Sequence, residues 1–196
     1  MNKKIILLSI AVIIILILII IGGIVYYKFM EWNNQSSDDY KKTLSLAVDN
    51  NDYSLCKNIP LSDWFASPRA DCYWRIAENT GDTSLCGEIL NTNLSGSNGG
   101  SLFADISFCY GQVVSKYKDV KICDEFRDKK DYYFEKIFGD KYNNTEWATS
   151  FYNYVLECYE TLALVTKDLT VCDHLEGETY KKECRNWVET VERTNK

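Results

Sequence analysis

Hydrophobic residues are arranged in two different ways along this chain. From Ile5 to Tyr27 they form one run of about 23 residues without a charge, dominated by Ile and Leu. A helix rises 1.5 Å per residue, so a run of this length crosses a hydrocarbon core of roughly 30 Å. Farther along, apolar residues recur among polar ones at helical spacing. The pattern predicts an all-α protein with an N-terminal transmembrane helix and a helical domain behind it.

The alternative for the apolar run is a cleaved signal peptide. The apolar region of a signal peptide has only about 7 to 15 residues and ends at a cleavage site of small residues. The run in this chain is longer, and no cysteine precedes Cys56, which excludes a lipid-modified cysteine behind a short signal. We therefore interpret residues 5–27 as an uncleaved signal anchor. Its interfacial aromatic residues are Tyr26, Tyr27 and Trp32.

The charges that flank the apolar run predict its orientation. Lys3 and Lys4 precede it, whereas Lys28 follows it with acidic residues beyond. Since basic residues favour the cytoplasmic side, the N-terminus is expected inside. We expect a single-pass protein of the cell membrane, with residues 1–4 in the cytoplasm, 5–27 as the transmembrane helix, 28–36 as a linker and 37–196 as an extracytoplasmic domain.

Cysteine usage favours the same orientation. All 8 cysteines lie in the C-terminal part of the chain. An even number of cysteines is typical of a disulfide framework, and disulfides persist in oxidising compartments outside the cytoplasm. The expected domain is large enough to bury one sizeable core.

A repeated pattern surrounds half of these cysteines. In each copy an Asp stands four residues before the Cys, an aliphatic residue one before it and a large apolar residue three after it. The Asp is a typical helix N-cap, and the three apolar positions fall on one face of the helix that follows. The pattern predicts four short helices, at Cys56, Cys86, Cys123 and Cys172.

A second pattern marks the other four cysteines. Cys72, Cys109 and Cys158 are each followed by Tyr and, four and five residues later, by two apolar or small residues, and each stands ten residues before the next capping Asp. Cys184 has a similar surrounding sequence near the chain end. These stretches predict longer helices. The segment at 42–47 matches them with Lys42 in place of Cys, which predicts a capping helix over the first repeat.

The spacing of the cysteines predicts how they pair. Cys72, Cys109 and Cys158 each stand 14 residues before the next first-pattern Cys, whereas the spacing within a repeat varies as 16, 23, 35 and 12. A constant tight turn between repeats and a variable loop inside a helical hairpin explain both facts. Eight cysteines allow 105 pairings, but pairing Cys72 with Cys86 leaves an offset of roughly 6 Å along the helices. We predict the bridges Cys56–Cys72, Cys86–Cys109, Cys123–Cys158 and Cys172–Cys184.

The combined motif resembles a known group of proteins. An acidic residue before Ser-Leu-Cys, followed by Cys-Tyr-x-x-Ile-Ala-x-x-Thr-Gly-Asp behind an N-terminal anchor, is similar to cysteine-rich helical repeats in uncharacterised membrane-anchored proteins of archaea and candidate-phylum bacteria. The resemblance covers about Asp49 to the C-terminus and departs at Gly111–Val114 and in the third repeat's insertion. It implies architecture and localisation, and no activity or site residues.

The insertion between Cys123 and Cys158 is rich in aromatic residues. Phe134 and Phe138, and likewise Trp147, Phe151 and Tyr154, recur at helical spacing, which favours two helices packed onto the array. The second interpretation is an aromatic recognition surface, because Tyr and Trp are enriched in binding hot spots and sugar-stacking sites. The candidate residues of that surface are Tyr132, Tyr133, Tyr142, Trp147 and Tyr152.

The charge and the residue types limit which ligands and reactions the chain can support. Beyond residue 4 the chain carries 20 basic and 28 acidic residues, a balance of −8 that argues against nucleic acid. His174 is the only histidine, and no close Cys pairs occur, so neither a zinc site nor Ser-His-Asp or Cys-His catalysis is predicted. We predict no cofactor and no metal. Acid-base chemistry by two carboxylates stays open, although no pair stands out.

Three Asn-x-Ser or Asn-x-Thr triplets fall in predicted linkers or loops. In an extracytoplasmic domain these are glycosylation sites wherever the host has the machinery. The three acceptors are Asn34, Asn93 and Asn143.

These observations favour a non-enzymatic interaction or scaffold module tethered to the membrane, with an unidentified protein partner. The alternative is a membrane-anchored hydrolase or glycan-binding protein that uses the aromatic insertion at 132–154. An open pocket with two close acidic side chains there favours the alternative, and a filled core favours the module. A surface-filament subunit has less support, since the apolar helix lacks an acidic residue near its start.

Overall fold

The computed structural model describes residues 40–59, 68–92, 99–139 and 145–194, apart from the side chains of 99–101 and 145–147. The chain divides into two compact parts, residues 1–42 and 43–196. Of the first part only 40–42 are described, and they are helical. The predicted anchor at 5–27 and the linker lie outside the described residues. Among the helices that are described, none is both long and apolar enough to cross a membrane.

The second part is built from helices alone over its described residues, which confirms the all-α prediction. In chain order it contains α1 (residues 43–50), the 3₁₀ helix Tyr53–Asn58, α2 (Pro68–Thr80), α3 (Ser84–Glu88) with the 3₁₀ helix Ile89–Thr92, α4 (Gly99–Tyr117), α5 (Val120–Asp128), α6 (Lys130–Phe138), α7 (Thr145–Thr166), the 3₁₀ helix Leu169–His174 and α8 (Glu178–Thr194).

Four disulfides join each short helix to the long helix that follows it. The bridges are Cys56–Cys72, Cys86–Cys109, Cys123–Cys158 and Cys172–Cys184, with Cα–Cα distances of 5.6 to 5.9 Å. All the cysteines are buried. The four predicted pairings are confirmed, and each bridge closes one helical hairpin.

The turn between hairpins has the same construction each time. The preceding helix ends at a residue with positive φ: Asn51, Gly81, Lys118 or Lys167. A capping Asp follows, and in each case its Oδ1 accepts a hydrogen bond from the backbone N–H two residues on, at 2.9 to 3.0 Å. The helix stop and the helix start are therefore adjacent. This shared turn accounts for the constant 14-residue spacing of the cysteines.

The helices pack in two layers. The long helices α2, α4, α7 and α8 contact one another in chain order. Three short helices lie against the long helix before them and the long helix after them: α3 with α2 and α4, α5 with α4 and α7, and the 3₁₀ helix Leu169–His174 with α7 and α8. In each hairpin a disulfide ties the short helix to the long helix that follows it. The face of the long helices that points away from the short helices is called the outward face.

The aromatic insertion forms part of the core. It supplies α6 and the first part of α7, so the two helices predicted from the aromatic spacing are present. Phe103 of α4 lies among its rings, with ring centroids 5.3 Å from Phe134 and 5.6 Å from Phe151. All three rings are fully buried. The core is therefore continuous from the second hairpin into the third.

Two glycines give a matched pair for testing the turn. Gly81 has φ +78°, and a Cβ built there lies 2.9 Å from Cζ of Tyr117, whose hydroxyl donates to the carbonyl of Asn79 at 2.8 Å. We expect Gly81→Ala to lower the free energy of unfolding by about 1 to 3 kcal/mol, because the left-handed backbone and the covering ring both oppose the methyl group.

Gly111 is the control for this substitution. It lies inside α4, where an added Cβ meets no atom within 4 Å. Gly111→Ala should therefore raise the free energy of unfolding by about 0.5 to 1 kcal/mol, since alanine favours a helix interior over glycine. Thermal unfolding followed by circular dichroism measures both changes. Destabilisation of equal size at the two positions would contradict this account of the turn.

Candidate functional site

The predicted aromatic surface is only partly exposed. Tyr132 is 48% exposed, and Tyr152 is half-buried with its ring stacked on Tyr180 at 5.9 Å. The prediction is wrong for Tyr133, which is fully buried against Phe126. Tyr142 and the side chain of Trp147 lie outside the described residues, as do the acceptors Asn34, Asn93 and Asn143. Of the candidates that are described, only Tyr132 and Tyr152 are accessible.

The described part of the insertion is a filled core. Tyr133, Phe134 and Phe151 are fully buried. The hydroxyl groups of Tyr133 and Tyr110 lie 3.1 Å apart and are hydrogen bonded, and burial raises the pKa of both well above the ordinary value. The aromatic rings therefore stabilise the third hairpin, and no open pocket with paired acidic side chains forms among them.

One recurring contact between hairpins was not predicted. In three hairpins a Tyr directly follows the cysteine of the long helix. This Tyr lies against the residue fifteen positions later, which is the second residue after the next short-helix cysteine. The hydroxyl of Tyr110 reaches Oε1 of Glu125 at 3.4 Å, and Tyr159 stacks on His174 with ring centroids 6.3 Å apart. The third pair is Tyr73 and Glu88, where burial and then the Glu88 charge raise the tyrosine pKa.

Glu125 is the centre of a polar network that joins the second and third hairpins. Its carboxylate accepts hydrogen bonds from Thr83 at 2.7 Å and from Lys129 at 2.6 Å, in addition to Tyr110. Burial acts to raise the pKa of Glu125, but the hydrogen bonds from Lys129 and Thr83 outweigh it and hold the pKa below its ordinary value. The carboxylate is therefore fully partnered, and its role is structural.

A second network surrounds the only histidine. Arg127 donates to the Tyr159 hydroxyl at 3.2 Å and to the backbone carbonyl of His174 at 3.0 Å, while Tyr159 donates to Asp124 at 2.6 Å. Nδ1 of His174 lies 3.4 Å from the same Asp124 carboxylate. Burial raises the pKa of Tyr159. These contacts join the third hairpin to the fourth and leave the tyrosine hydroxyl bonded on both sides.

The outward face of the long helices carries a groove between α4 and α7. Small residues of α4, namely Ala104, Ser107, Gly111 and Ser115, form its floor opposite Thr161 of α7. Its walls are Phe108 and Tyr154, and its volume is about 380 Å³. Phe108 is 49% exposed, and Trp74 of α2 holds it edge-on at 5.2 Å. Glu157 lines the same groove.

A second, shallower groove runs along α8. Glu183, Asn186 and Trp187 line it, and its volume is about 700 Å³. Trp187 is 41% exposed, although large aromatic side chains on a terminal helix are usually covered. Each of the two grooves therefore combines an exposed aromatic ring with a carboxylate.

Glu160 stands out among the charged residues of α7 and α8. It lies on α7, one helical turn after Glu157, and it is only 8% exposed. No hydrogen bond or ion pair to Glu160 exists in the part of the chain that the structure describes. Burial, and then the nearby charges of Glu183 and Glu157, raise its pKa to about 7.

This carboxyl group should make stability depend on pH. A group whose pKa is raised in the folded state binds more protons than the unfolded chain does between pH 4.5 and about 7. Stability is therefore highest below this window and declines as the pH rises through it, by on the order of 1 to 3 kcal/mol at about 1.4 kcal/mol per unit of pKa. Unfolding measured from pH 4.5 to 8 tests the decline.

Glu160→Gln should remove most of this pH dependence, because glutamine does not ionise. Glu135→Gln on α6 is the control, and it should leave the decline in place, since Glu135 is exposed. An unchanged decline in Glu160→Gln would assign the pH dependence to another group.

Among the described residues, no cluster of His, Cys, Asp or Glu side chains is close enough to hold a metal ion. Every cysteine is in a disulfide, so none is available as a nucleophile. No protein-family model matches this chain, and no curated protein or solved structure matches it.

Proposed function

We propose that this chain is a membrane-tethered interaction module whose helical domain faces the outside of the cell. In this proposal residues 5–27 anchor the chain, and the outward face of α2, α4, α7 and α8 binds a protein partner. The observation that carries the proposal is that this face presents grooves with exposed Phe108 and Trp187 on a frame of four disulfide-bonded hairpins.

The disulfides support the outward orientation. Four buried bridges with no cysteine left over need an oxidising compartment to form and persist. The lysines before residue 5 favour the same orientation through the positive-inside rule. Labelling of intact cells with a membrane-impermeant amine reagent tests it. The expected result is modification of lysines in the helical domain, and modification only after lysis would contradict the proposal.

The rigidity of the frame supports a binding role. Aromatic side chains held on helices lose little conformational freedom when a partner covers them, and such residues dominate binding hot spots. The ring of Phe108 is already fixed by its contact with Trp74. The exposed aromatic residues therefore lie on preorganised elements, as a recognition surface requires.

Site-specific photocrosslinking tests the proposed face. A photoreactive side chain placed at Phe108 or at Trp187 in the full chain, in the cells that produce it, should crosslink to the same protein partner. Tyr53 is the matched control, because it is 49% exposed but lies on a short helix of the other layer. Crosslinks that form equally from Tyr53, or from none of the three positions, would contradict the proposed function.

A further inference from the structure

We infer that the partner presents a cationic segment, and that its Lys or Arg side chains bind Glu157, Glu160 and Glu183 on the outward face of the long helices. The inference rests on the proposed function, since it names the class of partner for the same face. We call these three residues the acidic ridge. They come from α7 and α8, which pack against each other.

The first support is the burial of an unpaired carboxyl group. Glu160 is more than nine-tenths buried, and none of the described residues donates a hydrogen bond to it or forms an ion pair with it. A buried carboxylate is unfavourable without a partner, and its neighbours here are carboxylates as well. Glu157 and Glu183 likewise have no ion pair among the described residues. A cation is the missing complement of Glu160, and the exposed carboxylates of Glu157 and Glu183 add to the attraction for it.

The second support is the groove beside the ridge. Glu157 shares the α4–α7 groove with the rings of Phe108 and Tyr154. Aromatic faces attract Lys and Arg side chains by cation–π interaction, and the apolar stems of those side chains suit the groove's small-residue floor. Gly111 leaves space in the middle of that floor which the fold itself does not use. The groove therefore matches a long side chain with a charged end.

The third support is the repetition of this combination on α8. Glu183 shares the second groove with Trp187. Lys182 lies on the same stripe and forms no ion pair with Glu183 in the described structure. Glu157 and Glu160 stand three residues apart on α7, about 4.5 Å along the axis. A segment with several basic residues can thus contact both helices at once.

A metal ion fits the ridge less well than a basic segment does. No group of three such ligands in the described residues is close enough to hold a metal. The acidic balance of the chain, −8 beyond residue 4, draws cationic partners towards the domain at long range. A protein segment also supplies the apolar contacts that the exposed aromatic residues offer, which a small inorganic cation does not.

Binding of synthetic basic peptides tests the inference. The full chain in nanodiscs of zwitterionic lipid is titrated with fluorescent decalysine and decaarginine, with decaglutamate as the negative peptide. We expect saturable binding of the two basic peptides that weakens as salt is raised. Glu157→Gln with Glu160→Gln should weaken it at least tenfold. The matched control, Glu135→Gln with Glu176→Gln, removes the same charge at exposed positions elsewhere and should weaken it less than threefold.

Several outcomes would overturn the inference. They are absence of basic-peptide binding, equal weakening by the two double variants, and displacement of decalysine by equimolar spermidine or calcium, which would indicate a site for small cations. The circular dichroism of both variants must match that of the parent, and Glu160→Gln is expected to stabilise the fold at neutral pH. Crosslinking from Phe108 without peptide binding would reject the inference alone, whereas failure of the crosslinking rejects the proposed function.

Discussion

Replacing Cys123 and Cys158 together by alanine should lower the free energy of unfolding by about 4 kcal/mol. This bridge closes the longest loop of the four, with a sequence separation of 35. The loss comes mainly from the greater freedom of the unfolded chain, which rises with loop length. The bridge also ties α5 to α7 next to the aromatic core. Thermal or denaturant unfolding of the full chain, followed by circular dichroism, measures the change.

The terminal bridge is the matched control for this change. Cys172–Cys184 has a sequence separation of 12 and closes the last hairpin. The same double replacement there should lower the free energy of unfolding by about 3 kcal/mol, less than in the third hairpin. A larger loss at the terminal bridge than at the central one would contradict the account of how the bridges stabilise the array.

Phe103→Ala should lower the free energy of unfolding by about 3 to 5 kcal/mol, because it leaves a cavity in the filled aromatic core. Phe103 is fully buried and lies within 6.4 Å, between ring centroids, of four other rings. Those rings come from α6 and α7, so the side chain joins the second hairpin to the third. Denaturant unfolding of the full chain measures this loss.

Phe108→Ala on the same helix is the matched control, because it makes the same substitution at an exposed position. Phe108 is 49% exposed, and its contact with Trp74 is its only aromatic contact among the described residues. The expected loss is no more than about 1 kcal/mol. Equal losses at the two positions would show that the described core is not what holds the second and third hairpins together.

The hairpins and their bridges could be predicted because their determinants are local. Asp119 caps its helix through a hydrogen bond to a residue two positions away, and Cys123 follows at a fixed distance on that helix. The turn before Asp119 is set by Lys118 at positive φ, immediately beside the cap. Such features leave a readable spacing in the sequence, so the register of the two helices and the pairing of their cysteines followed from it.

Which aromatic and acidic side chains are exposed could not be predicted in the same way. Tyr132 and Tyr133 are adjacent in the sequence and identical in type, yet one is exposed and the other is buried by residues of α4 and α5. Burial of this kind depends on distant parts of the chain. Glu160 is a similar case, because an acidic residue in a helix ordinarily indicates solvent exposure. The pairing of Tyr110 with Glu125, by contrast, left a fifteen-residue spacing that could have been read in advance.

Disulfide mapping in the cells that produce the protein tests the central claim most directly. Free thiols are blocked by alkylation before lysis, and the full chain is then digested without reduction and analysed by mass spectrometry. The account predicts no alkylated cysteine and four linked pairs, which are Cys56–Cys72, Cys86–Cys109, Cys123–Cys158 and Cys172–Cys184. Alkylated cysteines would contradict an oxidising location, and recovery of Cys72 linked to Cys86 would contradict the hairpin repeat.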